Sequence, residues 1–179
     1  MGIIGTANKV KLFCGIISAG QDITDKALQK LEEKFGNIDI KSETVPFDFT
    51  SYYNPEMGEN LKRFWAAFET LISADELSGI KVFTNEVEDL FAVCGKRRIN
   101  IDPGYITPAN VILASTKDFS HRIYLSKGIY GEVTTIYKKE DFIKLPWSYP
   151  DYLSAPAKKF LLEARIKLMR QRKENGDGC

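Results

Sequence analysis

The run KVKLFCGIIS, residues 9–18, constrains the fold more than any other stretch. A β-strand turns alternate side chains to opposite faces. Here both sets are largely apolar, so the strand needs cover on both sides and belongs in the middle of a sheet. The following AGQDITDKALQKLEEKFG reads as an amphipathic helix. Thr24 stands as its cap, Ile23 and Leu28 as a hydrophobic staple, and Gly36 as its stop. Leu28, Leu31 and Phe35 fall on the face toward the sheet. Residues 37–47, NIDIKSETVPF, alternate well enough for a second strand.

LKRFWAAFETLI (61–72) fits either periodicity. The next residues decide it. SADE (73–76) is a capping box, and a helix running straight into a new cap without a turn would be awkward, whereas a strand would not. Residues 61–72 are therefore expected as a strand, and 74 to about 92 as a helix with Leu77, Ile80, Phe83, Val87, Leu90 and Phe91 on one stripe. KRRINID (96–102) reads as a strand with Ile99 and Ile101 on one face and Arg98, Asn100 and Asp102 on the other. DPGY (102–105) reads as a turn and TPANVILAS (107–115) as a short helix capped by Thr107.

The order to residue 102 is β-α-β-β-α-β, so the expected class is α+β, with a ferredoxin-like antiparallel sheet carrying two helices on one face. A short helix, a hairpin, a strand at DFIKL and a final helix over about 154–172 extend it. Ser154 would cap that last helix, and Phe160, Leu161, Ala164 and Leu168 would be its buried side. One domain is expected over residues 1–179, with an ordered core at 8–171 and a disordered tail at 172–179.

The hairpin YLSKGIY implies a three-residue loop, Ser126–Gly128, with glycine in the left-handed position. That loop sets Leu125 opposite Ile129, Tyr124 opposite Tyr130, Arg122 opposite Glu132 and His121 opposite Val133. Arg122 and Glu132 would form a cross-strand ion pair beside a tyrosine pair, and His121 would point to the other face. The Arg122–Glu132 pair reads either as a structural rung or as an anion-binding arginine oriented by a carboxylate. His121, the single histidine, reads either as a satisfied, partly buried residue or as a proton carrier with Asp118.

Lys and Arg total 25 against 24 Asp and Glu, so no basic excess favours extensive nucleic-acid binding. No apolar run approaches the ~20 residues of a membrane span, and the start lacks the pattern of a signal peptide. MGIIGT fits the loose myristoylation pattern and is read as coincidence. Cys14, Cys94 and Cys179 are far apart without a CxxC pair, which points to reduced thiols in a cytoplasmic protein. Phosphate-loop, GxGxxG, HExxH and GxSxG motifs do not occur. Asp102, Asp118 and Glu132 are oxygen donors for a hard cation but lack a spacing signature, so no metal is assigned.

PFDFTSYY (46–53), EMG (56–58), NIDPGY (100–105), TKDFSHRIYL (116–125), GIYGEVT (128–134) and LPWSYPDY (145–152) together resemble the family called domain of unknown function 4416. The resemblance covers nearly the whole chain and implies a bacterial or archaeal cytosolic origin. It implies no reaction, cofactor or catalytic residue.

The expectation for function is a small-anion (nucleotide or phosphorylated metabolite) binding protein or enzyme. Arg98, Asn100, Asp102, Lys117, Arg122, Tyr124, Tyr130 and Glu132 would form its ligand site, and His121 and Asp118 would carry any proton transfer. The cofactor is unknown. The alternatives are a non-catalytic protein- or RNA-interaction module using exposed tyrosines, and a homodimer built through a sheet edge. LPWSYPDY is expected as an extended segment packed across the sheet.

Overall fold

The computed structural model describes residues 5–176. Nine strands form one antiparallel sheet: β1 (Val10–Ser18), β2 (Ile38–Lys41), β3 (Val45–Pro46), β4 (Lys62–Ile72), β5 (Ile99–Ile106), β6 (Asn110–Ser115), β7 (Ile123–Ser126), β8 (Ile129–Lys138) and β9 (Asp141–Lys144). The helices are α1 (Gln21–Phe35), the single turn α2 (Asn54–Met57), α3 (Leu77–Leu90) and α4 (Ala155–Glu174). The sheet order is β2-β4-β1-β5-β6-β8-β7, with β3 beside β4 and β9 beside β8.

β1 is central, and all nine of its residues are buried. Its two faces belong to two cores. Leu12, Cys14 and Ile16 pack with Leu28 and Leu31 of α1 and with Ile80 and Val87 of α3. Phe13 packs on the other side with Trp65, Tyr152 and Phe160 and Leu161 of α4. The apolar run on both faces is thus explained by helices on both faces. The protein is α+β, with the sheet between α1/α3 and α4.

Residues 61–72 are strand, and the Ser73–Glu76 box is formed, the Ser73 N–H donating to Glu76 Oε1 at 2.7 Å. Ser154 caps α4, whose buried side is Phe160, Leu161, Ala164 and Leu168 together with Ala157. Helix α1 ends at Gly36, but it begins at Gln21. Thr24 lies buried within its first turn, its hydroxyl donating to the Gly20 carbonyl, and is not the cap. The stretch 37–47 holds two short strands, not one. Helix α4 runs to Glu174, so the expected tail does not start at 172. Cys179, at the end of that tail, and Gly2 of the myristoylation pattern lie outside the described residues.

The largest departure follows residue 102. DPGY is not a turn and 107–115 is not a helix. β5 continues through Pro103 and Gly104 to Ile106, and Asn110–Ser115 is strand β6. The turn sits at Thr107–Asn110, where the Thr107 hydroxyl accepts from the backbone N–H of Ala109 and Asn110. Val111, Ile112 and Leu113 suit a strand paired on both sides better than a helix. Pro103 is tolerated because of where its missing N–H would point. The N–H and C=O of Ile101 face away from β1, so Pro103, two residues on, faces the same way. On that side β6 pairs with β5 only from Gly104 onward.

The sheet therefore forks. β1 and β5 pair over eight residues, but β5 and β6 pair over only three, Gly104–Ile106 with Val111–Leu113. Below the fork β6 follows β8, to the pair Ser115–Tyr130. The β5 edge left open is closed by α3. Glu88 Oε1 accepts the Ile101 N–H at 2.6 Å, and Lys81 Nζ donates to the Ile101 carbonyl at 2.9 Å. Two buried charges take the place of a neighbouring strand, which is how these backbone groups escape the cost of burial without a partner.

Candidate functional site

A cleft of about 860 Å³ opens in the fork. The ends of several elements line it: Lys81, Asn85, Glu88 and Asp89 of α3, Asn100 and Asp102 of β5, and Arg63 of β4. The turn after β6 adds Ser115, Thr116 and Lys117, and the stretch after β9 adds Tyr149 to Tyr152. Phe47, Phe49, Tyr52 and Tyr53, between β3 and α2, supply an aromatic wall.

On the α3 side the charges form one network. Arg97 binds both carboxylate oxygens of Glu56 at 2.8 Å and reaches Glu88 at 3.2 Å and Asn100 at 2.9 Å. Asn100 donates to Asp102 at 2.7 Å, and Lys81 reaches Asp102 at 3.3 Å. Burial raises the Glu88 carboxyl above its ordinary value, with Lys81 opposing. The hydrogen bonds from Arg97 hold Glu56 below the usual glutamate range.

The floor is a buried arginine. The Arg63 guanidinium pairs with Asp151 at 2.8 Å and lies 4.7 Å from the Trp65 ring centre and 5.3 Å from that of Tyr152. Gly15 makes this possible. A Cβ there would stand 2.7 Å from Tyr152 Oη and 2.8 Å from Arg63 Nη2. Burial raises the Asp151 carboxyl, with Arg63 opposing.

On the β8 side Glu132, 2 % exposed, gathers both residues of the hairpin mouth. Its Oε2 accepts from Arg122 Nε at 2.7 Å and lies 3.2 Å from His121 Nε2. His121 and Arg122 therefore share one carboxylate, and the expectation that they face opposite ways is overturned. The cause is local. β7 begins at Ile123, so His121 sits in the turn before it, where strand alternation does not hold. The loop differs too: Ser126 pairs with Ile129 across a two-residue turn, Lys127 and Gly128, with φ of 55° and 74°. Two left-handed central residues are what a tight hairpin turn needs. Leu125 is the bulged residue, and the Tyr124–Tyr130 pairing holds, the rings edge to face at 5.4 Å.

Arg122 also donates to the Lys117 carbonyl at 3.0 Å and to Tyr149 Oη at 2.9 Å. Three of the five guanidinium N–H groups are thus used, leaving two. Lys117 reaches across to the aromatic wall, Nζ 3.2 Å from Tyr52 Oη and 5.0 Å from its ring centre. The indole of Trp147 stacks on His121 at 5.0 Å and 10° and donates to the Val133 carbonyl at 2.8 Å. LPWSYPDY thereby packs along β8 and ends in the cleft.

Of the residues expected in the site, Asn100, Asp102, Lys117, Arg122 and Glu132 line one cleft. Arg98, His121, Asp118, Tyr124 and Tyr130 do not. Arg98 yields its expected place to Arg97, two residues before β5, where the strand alternation used to orient it does not extend. His121 is spent on Glu132 and Trp147, and Asp118 is exposed. Tyr124 and Tyr130 stand on the hairpin, Tyr124 58 % exposed. Sequence reading missed Arg63, Lys81, Glu88 and Arg97, and it gave no site role to Asp151 or the 47–53 aromatics, which stand in the segments LPWSYPDY and PFDFTSYY. Lys81 and Glu88 carried one legible signal: they are charges beside the apolar stripe of α3. Among the described residues no group of three or more His, Cys, Asp or Glu side chains is disposed to hold a metal ion, and no helix is long and apolar enough to cross a membrane.

A model of the family described as domain of unknown function (DUF4416) matches residues 8–167, and the chain belongs to that family. No curated protein and no solved structure matches the chain.

Proposed function

We propose that this member of a family of unknown function binds a small anionic ligand, a nucleotide or phosphorylated metabolite, in the cleft of the forked sheet. The observation that carries the reading is Lys117. Arg63, Lys81, Arg97 and Arg122 each lie against a carboxylate, whereas Lys117 lines the cleft with no acidic partner among the described residues. Beside it Arg122 keeps two N–H groups to offer, held in place by Glu132 and Tyr149. A volume near 860 Å³ falls in the range of small-molecule sites. The reading is of binding, since His121 and Asp118 lie outside the lining and lend a catalytic role no support.

The frame of β1, α1, β2, β4, α3 and β5 is read as ferredoxin-like, supported by the order β2-β4-β1-β5. Cytoplasmic placement in a prokaryote is the matching proposal.

The test is thermal shift with inorganic phosphate, nucleotides and sugar phosphates. At least one phosphate compound raises the melting temperature of the wild type, and Lys117→Ala removes the rise. One charge-assisted contact is worth ~1.5–3 kcal/mol, roughly ten- to a hundredfold in affinity. No shift with any compound sinks the reading.

A second reading, a protein-interaction surface or homodimer edge, is favoured by the β7 edge, where Ile123 is 73 %, Tyr124 58 % and Leu125 42 % exposed. The RNA version has less support, because α4 covers the sheet face opposite α1 and α3. Light scattering distinguishes a dimer: a mass of two chains that falls to one with Ile123→Lys supports it.

A further inference from the structure

We infer that the ligand's neutral end is a nucleobase, so that the cleft takes a nucleoside monophosphate in preference to a sugar phosphate. This rests on the anion-binding reading above. Two observations carry it.

The first is the aromatic wall. Within seven residues the chain between β3 and α2 presents Phe47, Phe49, Tyr52 and Tyr53, all lining the cleft. Tyr52 is 61 % and Phe49 42 % exposed, and Tyr149, also lining the cleft, is 42 % exposed. The rings brace one another: Tyr53 meets Tyr52 at 5.1 Å and 90° and Phe47 at 5.8 Å and 68°. Exposed rings held by neighbours form a preset stacking surface. A sugar phosphate, with hydroxyls around its ring, offers it little flat apolar surface and gains less from it, whereas a base has a flat π face of matching kind.

The second is the α3 wall. Asn85 and Asp89, one turn apart, both line the cleft, and their side chains make no hydrogen bond among the described residues. Asn85 offers a donor and an acceptor, Asp89 only acceptors. Asp102 of β5 adds a carboxylate that is 31 % exposed. Phosphate is repelled by this side. The edge of a base bearing an exocyclic amino group, with donors and acceptors side by side, fits it. The cleft thus has a cationic end at Lys117 and Arg122, an aromatic wall, and an acceptor-rich wall.

Calorimetric titration with adenosine monophosphate, ribose 5-phosphate and inorganic phosphate tests the inference. The wild type binds adenosine monophosphate at least about fivefold more tightly than ribose 5-phosphate, the lower bound of stacking on one ring. Phe49→Ala abolishes most of that preference, lowering adenosine monophosphate affinity several times more than ribose 5-phosphate affinity, because the ring contributes to the stacking wall and not to the cationic end. Phe49→Leu, which keeps the bulk without the π face, shows the same loss and guards against misfolding of the alanine variant. Equal affinity for all three compounds overturns the base reading and leaves anion binding standing. Preference for adenosine monophosphate that survives both variants also overturns it. Binding of none removes the anion reading together with it.

Discussion

Alanine at position 15 tests whether the buried arginine floor is as tightly set as its contacts imply. Gly15 lies in central β1, paired with Trp65 of β4 and Asp102 of β5, in extended backbone that any residue adopts. Its only special requirement is space. The new methyl would meet Tyr152 Oη at 2.7 Å, Arg63 Nη2 at 2.8 Å and Arg63 Cζ at 3.1 Å. A flexible side chain would move aside, but this guanidinium is held by Asp151 and packed against two rings, and Tyr152 is 2 % exposed. Overpacking a well-filled core costs about 1–3 kcal/mol, and alanine recovers roughly 0.5–1 kcal/mol of the backbone entropy that glycine loses. With two contacts under 3.0 Å the cost falls toward the upper end of that range, so the net loss expected is about 2 kcal/mol, a fall in melting temperature of roughly 4–8 °C for a chain of this size. Tyr152→Phe alone should be nearly neutral, since its hydroxyl is buried without a hydrogen bond of good geometry. Because residues 15 and 152 touch, the double variant should lose less than the sum of the two. Urea melts of the four proteins give the cycle. A Gly15→Ala protein as stable as wild type, or strictly additive losses, would refute the reasoning.

Glu88→Ala leaves the Ile101 N–H without its acceptor and Lys81 short of one carboxylate, so urea melts should show a loss of about 3–5 kcal/mol, as for a broken buried pair. Glu56 is held below its ordinary pKa of 4.5 by Arg97, so its contribution is full above that value and is lost as pH falls through the lowered one. The stability gap between wild type and Glu56→Gln should therefore shrink on acidification; a gap that grows contradicts the tether. Gly128→Val puts a branched side chain at a φ of 74° in the β7–β8 turn, and chemical denaturation should register a loss of at least about 1 kcal/mol.

The first half of the chain was legible because its signals agreed: the apolar run of β1, the stripe of α3 (apart from Leu90, which is exposed) and the Ser73–Glu76 box all point to one topology. Residues 102–115 were not, because Asp-Pro-Gly-Tyr is as good a local turn as any, and only the tertiary fork explains a proline in that strand. At the hairpin the expected rungs Ile123–Gly131 and Tyr124–Tyr130 are present, but the loop and the residues before the strand differ. Strand alternation does not reach back to His121, which precedes the strand, and the loop has two residues, not three, because Lys127 also takes a left-handed φ. The Arg122–Glu132 ion pair forms all the same, since it depends on those two rungs. The cleft as a whole was only half visible. Asn100, Asp102, Lys117, Arg122 and Glu132 stand within recognisable motifs, but Arg63, Lys81 and Glu88 sit inside a strand and a helix that look structural until the sheet is seen to open.

The most direct measurement is an amide chemical-shift map of the labelled protein titrated with adenosine monophosphate. The account predicts perturbations concentrated at residues 47–53, around Lys117 and Arg122, and along the cleft face of α3 near Asn85 and Asp89. Perturbations confined to the outer face of the β7–β8 hairpin, or none at millimolar ligand, would contradict it.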